Sequence, residues 1–297
     1  MRFVLAGASG FLGTALRDHL AHEEHDVVRL VRGAAVSQDE SPWDPSTGVL
    51  DQQVIEDADV VVNLAGAPIA HWPWSASYQR KLRESRLATT GTLAEAIAKT
   101  DSKPVFLAQN GIAGYGDRGD EVLTEDSSTG ADTVLGRITQ EWADATQPAS
   151  DAGARVCILR TSVVLHRSGG GFKPMLLQFR AGLGGPLGSG AQYFATISLS
   201  DWVRAVTFLA AHDECSGIYN LTGPGSTTQK EFAHELGRML HRPTVLRAPA
   251  WPMRKVLGEL SNELLNSVRV EPARLLEAGF EFEHATLNAR LASALTN

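Results

Sequence analysis

Met1-Arg2-Phe3-Val4-Leu5-Ala6-Gly7-Ala8-Ser9-Gly10-Phe11-Leu12-Gly13 decides the reading of this chain. Phe3 to Ala6 have the make-up of a short buried strand. Gly7, Gly10 and Gly13 follow as G-x-x-G-x-x-G, and from Thr14 to Leu20 the apolar residues Leu12, Leu16 and Leu20 recur at helical spacing. Strand, glycine turn and helix in that order build a dinucleotide phosphate site. The glycines let the chain turn tightly and let a pyrophosphate approach the helix N-terminus, where free N–H groups and the positive end of the helix dipole meet it.

The next strand bears on which nucleotide. Asp26-Val27-Val28-Arg29-Leu30-Val31-Arg32 is apolar with charged flanks. An NAD site places an acid at the end of this strand to hold the ribose 2′-hydroxyl, whereas an arginine accommodates a 2′-phosphate. Arg32 stands there, nineteen residues after Gly13. Its planar, permanently charged guanidinium suits a phosphate. NADP(H) is therefore the expected cofactor.

Strand and helix candidates alternate through the first two thirds. Val60–Ala65, Val105–Ala108 and Val156–Leu159 read as buried strands, and Lys81–Ala98 and Thr139–Thr146 as helices. This order predicts an α/β fold, a Rossmann doubly wound parallel sheet covered by helices. Beyond Arg160 the pattern loosens. Gly169-Gly170-Gly171 and the stretch Gly182–Gly190 read either as flexible loops or as segments that approach a ligand. Short strands at Ile218–Leu221 and Thr244–Leu246 mix with helices at Gln229–Leu240 and Arg254–Leu265. The expected division is a Rossmann domain over 1–165 and a smaller C-terminal α/β substrate region over 166–297, part of which returns to the core.

Composition limits the function classes. At 297 residues and 43% hydrophobic content the chain can build a substantial core, and its net charge is −7 without a Lys/Arg block. Nucleic acid and anionic membranes are not the expected partners. Cys157 and Cys215 make neither a metal-ligand spacing nor a disulfide framework. No apolar run is long enough to span a bilayer, and the N-terminus leads directly into a strand, so a cytoplasmic setting is expected. No metal is expected: His19, His22 and His25 read as a solvated helix end. Glu121, Glu125 and Asp126 read as an acidic surface loop. Trp72 and Trp74, which flank Pro73, either face a substrate or cap the core.

With these residues in view, the chain resembles the extended short-chain dehydrogenase/reductase superfamily. Within it, the chain is similar to the atypical branch called the epimerase family, also labelled cell-division-inhibitor-like or nucleoside-diphosphate-sugar epimerase-like. The N-terminal carriers are Gly7–Gly13, Leu30-Val31-Arg32, Trp43-Asp44-Pro45, Asn63-Leu64-Ala65-Gly66, Ser85-Arg86-Leu87 with Thr89-Thr90, and Gly114-Tyr115-Gly116. Later ones are Leu159-Arg160-Thr161, Val163-Val164-Leu165, Gly182–Gly190, Tyr219-Asn220-Leu221 and Val270-Glu271-Pro272. The resemblance implies that backbone at Gly7, Ser9, Gly10, Phe11 and Leu12 holds the pyrophosphate, and that Val31 and Arg32 meet the 2′-phosphate end. Leu64, Ala65 and Gly66 would line the cofactor path, with Arg86 as a cofactor-contacting arginine and Val163 beside the nicotinamide. It also implies hydride transfer on a small carbonyl or hydroxyl substrate, with a nucleotide-sugar-like compound as one candidate, and a homodimer as a candidate assembly.

The catalytic pattern departs from the superfamily. Typical members use Tyr-x-x-x-Lys, in which the lysine lowers the tyrosine pKa for proton exchange. Here Tyr78, Tyr115, Tyr193 and Tyr219 are followed four residues on by Leu82, Gly119, Ile197 and Gly223. Where the motif should fall stands Thr133-Val134-Leu135-Gly136-Arg137, and an Ile-His pair of the branch is replaced by Ile197-Ser198 before Asp201. Tyr115 is then the candidate proton donor, and Asn110 the residue that could hydrogen-bond a carbonyl. A non-catalytic, NADPH-binding regulator or partner-binding module is the alternative.

Overall fold

A computed structural model describes residues 1–296. Its centre is an eight-stranded sheet, in spatial order Gly217–Leu221, Val156–Thr161, Val105–Gly111, Val60–Asn63, Arg2–Ala6, Asp26–Val31, Glu40–Asp44 and Val49–Leu50. All neighbours run parallel except the last two, which form an antiparallel corner with Trp43 opposite Leu50. Because strands in a parallel sheet are covered on both faces, Phe3, Val4, Leu5 and Ala6 are all fully buried, as are Val61 and Val62.

Each face has its own core. The helices Phe11–His22 and Leu199–Ala211 pack Leu16, Leu20, Trp202, Val206 and Leu209 on one side. On the other, helix Ala76–Lys99 sets Leu93 and Ile97 against Val4, Val61, Phe106 and Trp43. Fully burying a side chain of this size contributes about 1.5–3 kcal/mol relative to exposure. A third cluster, built on Phe172, Phe179, Phe194, Phe232, Leu236 and Leu291, holds the C-terminal region together. Residues from that half also return to the main sheet: helix Leu199–Ala211 covers it and Gly217–Leu221 is its edge strand.

Several boundaries differ from the sequence reading, for local reasons. Helix Ala76–Lys99 begins earlier because Ser75 caps it, accepting from the Tyr78 N–H. Helix Val134–Asp144 likewise starts at the Thr133 cap. The strand Val60–Asn63 stops there because the Asn63 side chain captures the Ala65 N–H at 3.1 Å and turns the chain. Arg254–Leu265 is not one helix: helix Ala250–Leu257 ends at Gly258, whose φ of +56° breaks it before a 3-10 turn and the short helix Asn262–Leu265. Thr244–Leu246 is not a strand. Thr244 packs over Gly237 and Val245 is exposed, while the pairing in this region is a single bridge between Leu187 and Ala248. The edge strands Glu40–Asp44 and Val49–Leu50 carried no recognisable alternation and were not expected.

Candidate cofactor and catalytic site

The strand order reverses between Arg2–Ala6 and Val60–Asn63, with Ala6 in register with Asn63. A crevice beyond the carboxyl ends of two such strands is where open α/β sheets bind ligands. Gly7 leaves the first strand with φ +83°, and a Cβ there would lie 2.7 Å from the Leu64 carbonyl carbon and 2.8 Å from the Ala65 nitrogen. Only glycine fits this contact. The Gly10 N–H then donates to the Gly7 carbonyl at 3.0 Å, closing the turn. At Gly13 a Cβ would come within 2.1 Å of the same Gly7 oxygen, so the helix packs directly on the turn. Gly10 is the N-cap of helix Phe11–His22 and supplies no side-chain acceptor. The first-turn N–H groups, those of Phe11 and Leu12 among them, are therefore left for an outside anion.

The two arginines of the second strand separate cleanly. Arg29 is engaged by Asp39 at 2.7 Å, Glu40 at 3.2 Å and Ser37 at 3.1 Å. The Arg29 hydrogen bond brings the Asp39 carboxyl down to about 2, and Asp39 in turn raises Arg29. Arg32, just past Val31 at the strand's carboxyl end, is exposed and makes no side-chain ion pair or hydrogen bond among the described residues. The strand thus carries one neutralised guanidinium and one open to an anion.

Leu64, Ala65 and Gly66 are stapled to helix Ala76–Lys99. The fully buried Asn63 donates to Thr90 at 2.9 Å, Thr89 donates to the Ser85 carbonyl at 2.9 Å and meets the Ala65 carbonyl at 3.3 Å, and the Ala67 N–H donates to Ser85 Oγ at 3.0 Å. Arg86 lies against Gly66, whose added Cβ would sit 3.4 Å from the Arg86 Cγ. It is 5% exposed, donates to the Leu82 carbonyl at 2.9 Å and stacks over Trp142 at 5.0 Å, with no carboxylate partner among the described residues. Burial lowers its pKa to about 10, which leaves it cationic at neutral pH. Asn63, Ser85, Thr89 and Thr90 were not singled out for this role. For the helical three the signal is their spacing around Arg86, which puts Ser85, Arg86, Thr89 and Thr90 on one helix face. Val163 opens a short strand, Val163–Leu165, just past the carboxyl end of Val156–Thr161 and pairs with Thr196.

The expected catalytic residues occupy a different environment. Asn110 is buried: its amide donates to the Thr139 carbonyl at 3.0 Å and its oxygen accepts from the Gly111 N–H at 2.8 Å. Tyr115 is 2% exposed. Its hydroxyl accepts from Arg160 Nη1 at 2.8 Å and has Asn220 Oδ1 at 2.8 Å and the Thr124 carbonyl at 3.0 Å as acceptors. Arg160 also stacks over the Tyr115 ring at 4.8 Å. Burial raises the Tyr115 pKa, against the opposing pull of Arg160. As placed, neither residue offers an unengaged polar atom. Thr133 is spent as a helix cap, and Arg137 is exposed and paired with Asp132.

Two further expectations change. Glu125 is not a surface residue like Glu121 and Asp126. It is buried, accepting from the Asn220 N–H at 2.8 Å and the Arg274 N–H at 3.3 Å, and burial raises its pKa. Of the tryptophans, Trp74 packs with Ala67, Leu82, Leu135 and Ile138, whereas Trp72 is 58% exposed and donates to the Val256 carbonyl at 3.3 Å. The histidine missing before Asp201 is met from elsewhere in the chain: His284 Nδ1 lies 3.0 Å from Ser198 Oγ, and Asp201 accepts the N–H groups of Glu283 and His284. Asp201, Glu283 and His284 lie close together, but the Asp201 carboxylate is already held by these protein donors. No helix among the described residues is long and apolar enough to cross a membrane.

The sequence profile described as NAD dependent epimerase/dehydratase family matches residues 3–222, and one described as a domain of unknown function matches 248–294. An epimerase family protein of Mycobacterium bovis is 40% identical over 293 residues, covering 98% of this chain and 97% of its own. The epimerase family protein SDR39U1 of Mus musculus is 34% identical over 295 residues, covering 98% of each. The crystal structure of human epimerase family protein SDR39U1 with NADPH superimposes with a TM-score of 0.91 at 32% identity, covering 100% of both chains. This chain therefore belongs to the NAD dependent epimerase/dehydratase family.

Proposed function

We propose that this protein binds NADP(H) at the Gly7–Gly13 turn and uses it in hydride transfer on a small carbonyl or hydroxyl compound. The observation that carries the cofactor choice is the pair of arginines: Arg29 is neutralised, while Arg32 is exposed and unpaired at the strand end. The turn fits a dinucleotide because Gly7 and Gly13 leave no room for side chains and Gly10 leaves the helix end uncapped. The human relative crystallised with NADPH supports the same reading. When bound, the nicotinamide supplies or accepts the hydride. The chain's own part is to hold the diphosphate with the backbone around Gly10, Phe11 and Leu12, the 2′-phosphate with Arg32, and the ribose path with Leu64, Ala65 and Gly66. Arg86 places a buried positive charge beside that path.

Titration of the purified protein with NADPH and NADH tests the reading. NADPH is expected to bind at least tenfold more tightly; equal or absent binding of both overturns it. A second reading, binding without turnover, is favoured by the engaged hydroxyl of Tyr115 and amide of Asn110. A panel of aldehydes, ketones and nucleotide sugars followed by NADPH absorbance separates the two: turnover rejects the second reading, and tight binding with no turnover across the panel favours it.

A further inference from the structure

The loop of residues 166–171 belongs to the C-terminal half, yet it lies on the first residue of the cofactor turn. A Cβ on Gly169 would be 2.4 Å from Phe11 Cδ2 and 2.7 Å from Cγ, and one on Gly170 would be 3.0 Å from Phe11 Cε1. Two consecutive glycine backbones therefore rest on the Phe11 ring, Gly169 at a distance no side chain permits and Gly170 at one that leaves a side chain little room. Gly170 also has φ +62°, a second reason for glycine. His166 stacks on the same ring, with centroids 6.2 Å apart and planes at 24°. The loop is itself braced. His166 Nδ1 meets Ser168 Oγ at 2.7 Å, the Arg167 N–H donates to the Ala294 carbonyl of the C-terminal helix Leu287–Thr296, and Phe172 is fully buried where the next helix begins. Beside this contact is a cleft of about 470 Å³, lined by Ser9, Gly10, Phe11, Thr14, His166 and Ser168 among others.

Phe11 is also the residue whose backbone N–H begins the helix that receives the pyrophosphate. The loop therefore packs on the side chain of the same residue that opens the cofactor-facing helix, and the cleft beside it is lined by both the turn and the loop. We infer that the 166–171 loop is a clasp on the cofactor: its glycines hold Phe11 in the binding position, so cofactor release requires the loop to lift, and bound cofactor holds the loop down. This rests on the NADP(H) reading above. It also gives the glycine run a role, since any side chain at Gly169 would prop the clasp open.

Trypsin reads the clasp directly, because Arg167 is exposed within it. Saturating NADPH is expected to slow cleavage after Arg167 at least fivefold, while cleavage after Arg254 and Lys255, in an exposed helix remote in sequence, changes less than twofold. Stopped-flow NADPH release gives the second readout. Gly169→Ala is expected to release about tenfold faster than wild type, and the same change in a Phe11→Ala background to add less than twofold, because the added methyl then occupies the space the ring left. If Gly169→Ala does not fold, Phe11→Leu, which keeps an apolar side chain, takes its place and is also expected to release faster. Wild-type binding with equal protection at all three sites, or with release unaltered in these variants, overturns the clasp alone. Failure of wild type to bind NADPH overturns the cofactor reading and the clasp together.

Discussion

The Gly7–Gly13 turn and the Asn110–Tyr115 cluster lie at the carboxyl ends of strands in one sheet, and they treat polar groups in opposite ways. The turn holds its backbone by glycine contacts and leaves donors open at the helix end. The cluster buries Arg160, Tyr115, Asn220 and Glu125 and satisfies them with one another, Arg160 to Tyr115, Tyr115 to Asn220 and the Asn220 N–H to Glu125, while backbone groups of Thr139 and Gly111 satisfy Asn110. An open donor set is suited to receiving a ligand. A closed one rigidifies the fold, since each buried polar atom left without a partner costs about 1–3 kcal/mol. The contrast teaches that a tyrosine just past the carboxyl end of a strand is not thereby open to a ligand.

The most severe break is Gly13→Val. A side chain 2.1 Å from the Gly7 oxygen must separate the helix from the turn, so NADPH binding is expected to be lost and stability to fall by about 3 kcal/mol, in the upper range for overpacking. Calorimetric titration and urea unfolding measure the two. Tyr115→Phe probes the closed cluster. It leaves Arg160 and Asn220 each short of a buried partner, and the expected loss is about 2 kcal/mol of stability with NADPH affinity within twofold of wild type. Unchanged stability with turnover abolished would instead make Tyr115 the proton donor and dissolve the contrast. Arg32→Ala acts on the open side only. Loss of a charge-assisted contact is expected to weaken NADPH by about 1.5 kcal/mol, roughly tenfold, and to leave NADH as it was; an equal loss for both would make Arg32 structural.

The smallest effect is a pH dependence. Burial raises the Glu125 carboxyl above its ordinary value of 4.5, so the folded protein holds that proton more tightly than the unfolded chain. The associated stability is complete below 4.5 and is lost as pH rises through the folded value. Relative to Glu125→Gln, wild type should therefore gain stability as pH falls from 7.5 to 5 in parallel urea titrations. A gap that does not change with pH would show that Glu125 keeps its ordinary titration.

The same contrast explains what the sequence made legible. The parallel strands were readable because burial on both faces demands unbroken apolar runs, such as Val60–Val62, and the turn was readable because each of its glycines has a steric reason within a few residues. Arg32 could be placed by counting from Gly13. Its availability could not, because that depends on Asp39 and Glu40 having engaged Arg29. Glu125 looked like a surface acid because its partners, the N–H groups of Asn220 and Arg274, lie 95 and 149 residues away. Tyr115 looked free for the same reason: Arg160 and Asn220 reach it only once three strands are side by side. The single bridge at Ala248 was likewise decided by a distant part of the chain, Leu187.

One edge of the large sheet has a consequence for how these molecules meet in solution. An open edge strand is a template on which another chain can lengthen the sheet. Here Glu40–Asp44 carries Pro42, which has no N–H to donate, and its last two residues are covered by Val49–Leu50, a strand only two residues long. An incoming strand would find too few ladder positions to register. The antiparallel corner thus guards this edge of the sheet against growth by strand addition.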